Sequence, residues 1–342
     1  MNWSWMHEHY SILLLVCLLQ MKTISSHSSS IYASLLVKSM VENIVQATTS
    51  TCFIRKKNTT GWMGVYARKG ASKQSRKRIQ STYKKNHGKV PIVILPGFLT
   101  PSSSPMYAAM ATHLSTYIQE ASRGTLQAVV RMPYMGYGDW FKIVGGGDFS
   151  TYLDRAYNVV EELYKECDGE DVRILGHSAG GWVARLLLGD VPYQGRVYNA
   201  KSMVNTLFTL GTPHLSVEQY PFGRIDECID VSHIHASGDV LQRIKTSSLQ
   251  YCNYVYPRGD AFEPDTKIVC VAGDGEITSF MTYQSYKSGC GKGSVRGDGV
   301  TPLEIAILPH ASKSIVLQNV SHFEYGEYAN IQQWFDLCIH DS

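Results

Sequence analysis

The sequence predicts an α/β fold with a mostly parallel central sheet and helices on both faces. Apolar runs of strand length alternate with segments of helical periodicity from about residue 89 onward, a pattern typical of βαβ units. The turn 176–180 joins one such strand to one such helix. About 250 residues lie in this region, enough for one large domain. The predicted strands are residues 91–95, 126–132, 172–175, 204–210, 267–272 and 314–320. The predicted helices are residues 106–120, 151–166 and 181–188.

The first predicted strand lies in a continuous apolar run, residues 90–95, that is typical of a strand buried on both faces of a parallel sheet. It ends in Pro96-Gly97-Phe98, where the glycine allows another part of the backbone to approach closely. The helices and strands that follow continue the alternation, and we find no internal repeat.

The third predicted strand is followed by the pentapeptide 176–180, GHSAG, and then by a predicted helix. A serine at the apex of a tight strand-to-helix turn is held in a strained conformation, and small residues two before and two after it prevent clashes. Gly176 and Gly180 supply that space. The pattern therefore predicts that Ser178 is a nucleophile, placed at a helix N-terminus where backbone N–H groups face negative charge.

An acyl-transfer site of this type also needs two backbone N–H donors for the oxyanion. One comes from the residue after the nucleophile, here Ala179, and the other from the loop after an early strand. Phe98 is the expected second donor, with Gly97 allowing the backbone to approach. Either turn alone is a common local pattern, so the prediction depends on their occurrence together.

A serine hydroxyl needs a base, and the base needs an orienting carboxylate, in the chain order Ser, Asp or Glu, His. We predict Asp298 as the acid, because its loop is followed by a helix start in which Thr301 is the N-cap, Pro302 the first helical residue and Glu304 the partner of a capping box. Asp274 directly follows the preceding strand and is the alternative acid.

The predicted general base is His322, which follows the last predicted strand at its C-terminal end. Catalytic groups of open α/β sheets lie at that end. Two other histidines are the alternatives: His310 precedes the same strand, at the opposite end, and His214 follows the fourth strand. Position and chain order favour His322 over both.

With these residues in place, the chain resembles the α/β-hydrolase superfamily and, within it, the lipase-like branch. Segments 176–182, 208–214 and 297–302 together resemble a group of plant and algal lipase-like hydrolases. They are more loosely similar to GPI inositol-deacylases and to lecithin:cholesterol acyltransferase-type lipases. The resemblance covers residues from about 89 to the C-terminus, and it implies an α/β-hydrolase fold and ester hydrolysis.

The resemblance and composition together suggest a lipid or other hydrophobic acyl ester as the substrate. A predicted lid or cap, residues 214–266, interrupts the alternation and contains six aromatic residues that suit an acyl chain or a small core of its own. Thioesterase or acyltransferase activity on the same triad is an alternative, and a ligand-binding receptor without catalysis is another. The aromatic residues of the cap are Tyr220, Phe222, Tyr251, Tyr254, Tyr256 and Phe262.

Residues 1–88 form a predicted targeting leader that is basic and Ser-rich, upstream of a catalytic domain at 89–342. The whole chain has a formal net charge of +3, but Glu8 and Glu42 are the only acids of the leader, so the catalytic domain is acidic. This distribution argues against nucleic-acid binding. The composition favours a chloroplast transit peptide, and the apolar run 12–19 is the basis for the secretory alternative.

The eight cysteines do not identify the compartment. A disulfide between Cys228 and Cys252 would need an oxidising compartment. No Cys-x-x-Cys motif and no His/Cys cluster of zinc spacing occur, so we expect neither a metal site nor a cofactor, and the predicted partners are substrate and, peripherally, a membrane.

Overall fold

The computed structural model describes residues 88–144, 147–217, 247–275 and 279–337, and every structural statement below concerns these ranges. The predicted leader lies outside them except for Gly88, as do residues 218–246 of the predicted cap. The strands are β1 (Lys89–Leu95), β2 (Gln127–Arg131), β3 (Val172–His177), β4 (Val204–Leu210), β5 (Lys267–Asp274) and β6 (Lys313–Gln318). The helices are α1 (Pro105–Ala121), α2 (Tyr137–Val144), α3 (Ser150–Glu166), α4 (Ala179–Leu188), α5 (Ser248–Val255), α6 (Phe280–Cys290), α7 (Leu303–Ala306) and α8 (Tyr328–Trp334).

The strands form one parallel sheet in the order β2-β1-β3-β4-β5-β6. The chain passes from β1 to β2 on one side and then returns to place β3 on the other side of β1. The strand order therefore reverses between β1 and β3, and the loops after these two strands lie next to each other at the carboxyl edge. This edge is where the sequence places Phe98 and Ser178.

The apolar side chains of the strands are buried on both faces of the sheet. One face packs against α1 and α8 through a core that includes Ile92, Leu175, Phe208 and Val269. The alternate strand residues, such as Ile174, are equally buried on the face covered by α3 and α4. The predicted α/β architecture, a parallel sheet with helices on both faces, is confirmed.

Some local predictions differ from the structure. Helices α2, α5, α6 and α8 are additions to the predicted ones. Three of them, α2, α5 and α8, have eight residues or fewer, too few to show a clear helical period in the sequence. The capping box at α7 is wrong: Pro302 is the N-cap, the Thr301 hydroxyl donates to the Gly211 carbonyl at 2.9 Å, and Glu304 accepts from Lys292. Tertiary partners replace the local bonds that the sequence pattern suggested.

Among the described helices, none has the length and hydropathy needed to cross a bilayer. The described part of the predicted cap contains α5 and a short 3₁₀ helix, Gly259–Phe262. Cys252 lies in α5 as a buried free thiol, and Cys228 is outside the described residues.

Candidate active site

Ser178 occupies the strained turn between β3 and α4. Its backbone has φ 52° and ψ −126°, a region that a residue with a Cβ rarely enters. The Ser178 N–H donates to the Leu210 carbonyl at 2.9 Å, which ties the turn to the end of β4. A methyl group added to Gly176 would overlap the backbone of Gly181, and one added to Gly180 would overlap the Leu95 carbonyl. The glycines are therefore required by backbone packing on both sides of the serine.

Replacing Gly176 with alanine is expected to lower the free energy of unfolding by about 3 kcal/mol, because the new methyl group meets fixed backbone and not a movable side chain. Urea unfolding followed by circular dichroism measures the change. Gly138→Ala is the matched control: Gly138 occupies an exposed position of α2 with no atom near a new methyl group, and we expect stabilisation of up to about 1 kcal/mol. Equal unfolding midpoints for the two variants would contradict this packing argument.

The loop after β1 lies directly against the serine. A methyl group added to Gly97 would lie 2.8 Å from Ser178 Cβ, so only glycine allows this approach. The Gly97 N–H donates to the Tyr107 hydroxyl at 2.7 Å, and the Tyr152 hydroxyl donates to the Pro96 carbonyl at 2.7 Å. Both tyrosines are fully buried, so the loop is held on rigid partners.

Phe98, the predicted oxyanion donor, is part of this same loop. Its ring packs edge-on against Trp140, with centroids 5.5 Å apart, and the Trp140 indole N–H donates to the Thr100 carbonyl at 3.2 Å. Ala179, the other predicted donor, is the first residue of α4. The sheet thus brings the peptide units of Phe98 and Ala179 close to Ser178. The role of their N–H groups as oxyanion donors stays a prediction.

Asp298 and His322 are in direct contact. His322 Nδ1 and Asp298 Oδ2 are 2.7 Å apart, and both side chains are almost fully buried. The His322 backbone N–H also donates to the Asp298 carbonyl at 2.8 Å, so the two loops are joined at two points. Because the Asp298 contact occupies Nδ1, the imidazole nitrogen that remains for a proton from Ser178 is Nε2.

Further donors surround the Asp298 carboxylate. Oδ1 accepts from the backbone N–H groups of Val300 and Thr301, at 3.0 and 2.7 Å, and Oδ2 accepts from the Tyr325 hydroxyl at 2.8 Å. Burial alone would raise the pKa of Asp298, but the neighbouring His322 and these backbone donors outweigh it, and the pKa lies below the ordinary value of 3.8. The group is therefore ionised at neutral pH, as an orienter of His322 requires.

The alternative acid and bases lie elsewhere. Asp274 is buried and pairs with Arg296, and its Oδ2 also accepts from the Gln318 amide at 3.2 Å. His214 is buried between Arg185 and Thr209, with nitrogen contacts of 3.3 and 3.1 Å, and His310 is exposed. The contact with His322 is thus made by Asp298.

His177, the residue before the serine, is a buried part of the same network. Its Nε2 lies 2.9 Å from the backbone carbonyl of His322, and its Nδ1 lies 3.0 Å from the Tyr107 hydroxyl. A carbonyl only accepts, so Nε2 carries the proton and Nδ1 accepts from Tyr107. Burial, and next to it the nearby His322, lowers the pKa of His177 to about 3, although Asp298 acts in the opposite direction.

The buried histidines make stability pH-dependent. The folded-state pKa of His177 lies below its ordinary value of 6.5, as does that of His214, which is lowered by burial and then by Arg185. At a pH between the folded-state pKa and the unfolded-state pKa of such a histidine, the unfolded chain binds more protons than the folded chain. The contribution to the free energy of unfolding is therefore fully present above pH 6.5, and it is lost as the pH falls toward the folded-state pKa. From pH 7.5 to 5.5 we expect a loss of about 1 kcal/mol for each histidine.

Urea unfolding of the wild type and of His177→Asn at both pH values tests this expectation. The variant should lose about half of the pH dependence, because it lacks one of the two groups. His310→Asn, at an exposed position, is the control and should keep the wild-type dependence. A wild type whose stability rises on acidification would contradict the argument.

Three site residues had no assigned role in the sequence prediction: Tyr107, His177 and Tyr325. Tyr325 follows His322 by three residues, so its spacing was the one available signal. Tyr107 contacts His177 across 70 residues of sequence, and no local pattern indicates such a contact. Within the described residues, no group of three or more His, Cys, Asp or Glu side chains has the arrangement of a metal site.

Comparison with known proteins agrees with this geometry. The family described as PGAP1-like alpha/beta domain matches residues 142–224, which include α3, β3, the serine turn and β4. The structure agrees with this match, because the strand order of the parallel sheet reverses beside the strained turn at Ser178. The chain has an α/β-hydrolase fold. The sequence-based prediction of this fold is thereby confirmed.

Solved structures of α/β hydrolases are similar to this chain at low identity. The mature form of Bacillus licheniformis lipase BlEst2 has 18% identity and a TM-score of 0.42, over 72% of this chain and 89% of that chain. Est1E from Butyrivibrio proteoclasticus has 13% identity and a TM-score of 0.37, over 72% and 86%. MGS-MChE2, an alpha/beta hydrolase enzyme from a lagoon-sediment metagenome in Morocco, has 16% identity and a TM-score of 0.35, over 72% and 90%. No curated protein matches the sequence.

Proposed function

We propose that this chain is a serine hydrolase that cleaves carboxylic esters of lipids through an acyl-enzyme on Ser178. The α/β-hydrolase fold supports hydrolase activity in general. The observation that carries the specific proposal is the 2.7 Å contact between buried Asp298 and His322, at the same sheet edge as the strained Ser178 turn. A buried, ionised carboxylate beside a histidine orients the imidazole and stabilises its protonated form, which is what the general base of a serine hydrolase requires.

In the proposed reaction, the Ser178 oxygen bonds to the ester carbonyl carbon while His322 Nε2 takes the hydroxyl proton. The N–H groups of Phe98 and Ala179 hold the oxyanion. The tetrahedral intermediate then expels the alcohol, which receives the proton from His322, and leaves an acyl-serine. Water, deprotonated by the same imidazole, attacks the acyl group. The bond between the acyl carbon and the Ser178 oxygen then breaks, His322 returns the proton to that oxygen, and the acid is released. Asp298 holds the imidazole in the tautomer with Nε2 unprotonated at the start.

The lipid class is supported by the lipase-like resemblance and by aromatic residues of the cap region. Exposed apolar side chains lie next to residues 218–246 and 276–278: Val217 is 60% exposed and Phe280 is 63% exposed. The Val217 N–H donates to the Gly289 carbonyl in the last turn of α6, and Phe280 begins that helix. Both side chains are apolar and exposed, which suits peripheral contact with a lipid aggregate.

A fluorophosphonate probe tests the proposal. Stoichiometric labelling of the folded wild type, mapped to Ser178 by peptide mass spectrometry, is the expected result. Folded protein that does not label would favour the alternative of a ligand-binding receptor. Turnover of p-nitrophenyl esters of increasing chain length, of acyl-CoA thioesters and of glycerolipid vesicles then separates lipase from thioesterase activity, and a faster rate with thioesters would overturn the ester assignment.

The leader is proposed to direct the chain to the chloroplast. Residues 1–88 fused to a fluorescent protein should enter chloroplasts, and entry into the endoplasmic reticulum would favour the secretory alternative.

A further inference from the structure

The backbone of His322 is fixed by a chain of hydrogen bonds that starts in the loop after β1. The Gly97 N–H donates to the Tyr107 oxygen at 2.7 Å, the Tyr107 hydroxyl donates to His177 Nδ1 at 3.0 Å, and His177 Nε2–H donates to the His322 carbonyl at 2.9 Å. Each group has a single direction available, because the first donor is an amide and the last acceptor is a carbonyl.

This chain connects the two halves of the proposed machinery. Gly97 precedes the expected oxyanion donor Phe98, and His322 is the expected base. His177 is buried between them, and its ring centroid lies 4.8 Å from that of His322. The side chain of His322 is held from the other direction by Asp298. The imidazole of His322 is therefore positioned through both its side chain and its own peptide unit.

We propose that His177 is a positioning residue that holds His322 and the oxyanion loop in register through its neutral Nε2–H tautomer. The proposal rests on the serine-hydrolase function proposed above. His177 donates to the backbone of His322 and takes no part in bond making. Its loss would leave the His322 carbonyl unpaired and free the loop that carries the base, and misplacement of a catalytic group by about 1 Å can cost about a hundredfold in rate.

Two substitutions separate the two hydrogen bonds of His177. Gln places its amide near the position of Nε2 and keeps a donor for the His322 carbonyl. Asn places its amide near Nδ1 and keeps only the Tyr107 partner. We expect His177→Asn to lower kcat by about ten- to hundredfold with KM unchanged, and His177→Gln to recover most of kcat. The rate of fluorophosphonate labelling at Ser178 should follow kcat, because it needs the base without an ester substrate.

Circular dichroism and thermal melts establish that each variant is folded. If His177→Asn does not fold, His177→Met takes its place: it fills the site with an unbranched apolar side chain that has no donor for the His322 carbonyl, and we expect the same fall in kcat at constant KM. A folded His177→Asn or His177→Met enzyme with wild-type kcat overturns the inference, as does a change confined to KM. A Gln variant as impaired as the Asn variant overturns the role of Nε2.

The wild type separates this inference from the proposed function. A folded wild type that neither labels nor turns over esters refutes the hydrolase proposal, and the inference falls with it. A wild type that labels at Ser178, beside His177 variants that react at the same rate, refutes the inference alone.

Discussion

Replacing Ser178 with alanine is expected to lower kcat by about 10⁶-fold, the size of effect seen when the nucleophile of a serine hydrolase is removed. The loss is this large because Ser178 lies against the Gly97 loop at the start of α4, and alanine at this position has no hydroxyl to attack the ester. The measurement is kcat on a soluble p-nitrophenyl ester, with fluorophosphonate labelling as the second readout. Labelling should disappear in parallel.

Ser321→Ala is the matched control for this experiment. Ser321 is exposed and directly precedes His322, so its loss tests whether any serine near the base matters. We expect activity and labelling to stay at the wild-type level. Substantial esterase turnover by a folded Ser178→Ala protein would show that the nucleophile is another residue.

Replacing Asp298 with asparagine is expected to lower kcat by about 10⁴-fold, because an amide in place of Oδ2 favours the wrong tautomer of His322. The same substitution at Asp274 should change kcat by no more than a few-fold, since its carboxylate faces Arg296 and Gln318. Each variant exchanges one carboxylate oxygen for an amide nitrogen, and both positions lie at the same edge of the sheet. Steady-state kinetics on the same soluble ester compares them.

Stability must be measured beside rate for this pair, because both carboxylates are buried. Unfolding in urea identifies any variant that is partly unfolded under assay conditions. If the Asp274 change reduces kcat and the Asp298 change does not, the acid assigned to His322 is wrong despite the 2.7 Å contact.

The sequence predicts the strands and the serine turn because their signals are local. A continuous apolar run such as that of β1 identifies a strand buried on both faces, and the glycines on either side of Ser178 identify the turn. Chain order predicts an acid and then a histidine after Ser178, and the expected capping box favours Asp298 over Asp274. The structure places Asp298 in contact with His322, although the capping box itself is absent.

The parts that sequence did not predict depend on contacts between distant residues. The Thr301 hydroxyl donates to a carbonyl 90 residues away and not to the helix that follows it. Tyr107 and Tyr325 both hold site groups, at His177 and Asp298, through hydroxyls whose partners come from other elements. Buried tyrosines are ordinary core residues in a sequence pattern, and only the fold gives these two their partners.

Among the strands of the described residues, β6 pairs with β5 alone, and its side chains are exposed except for half-buried Ile315 and buried Leu317. The proposed base follows this border strand. Opening of the border needs less free energy than disruption of the six-stranded core, because fewer apolar contacts are lost. Mild denaturant is therefore expected to inactivate the protein while most of its secondary structure persists. Loss of turnover would then report local opening at the β6 edge of the sheet and not global unfolding.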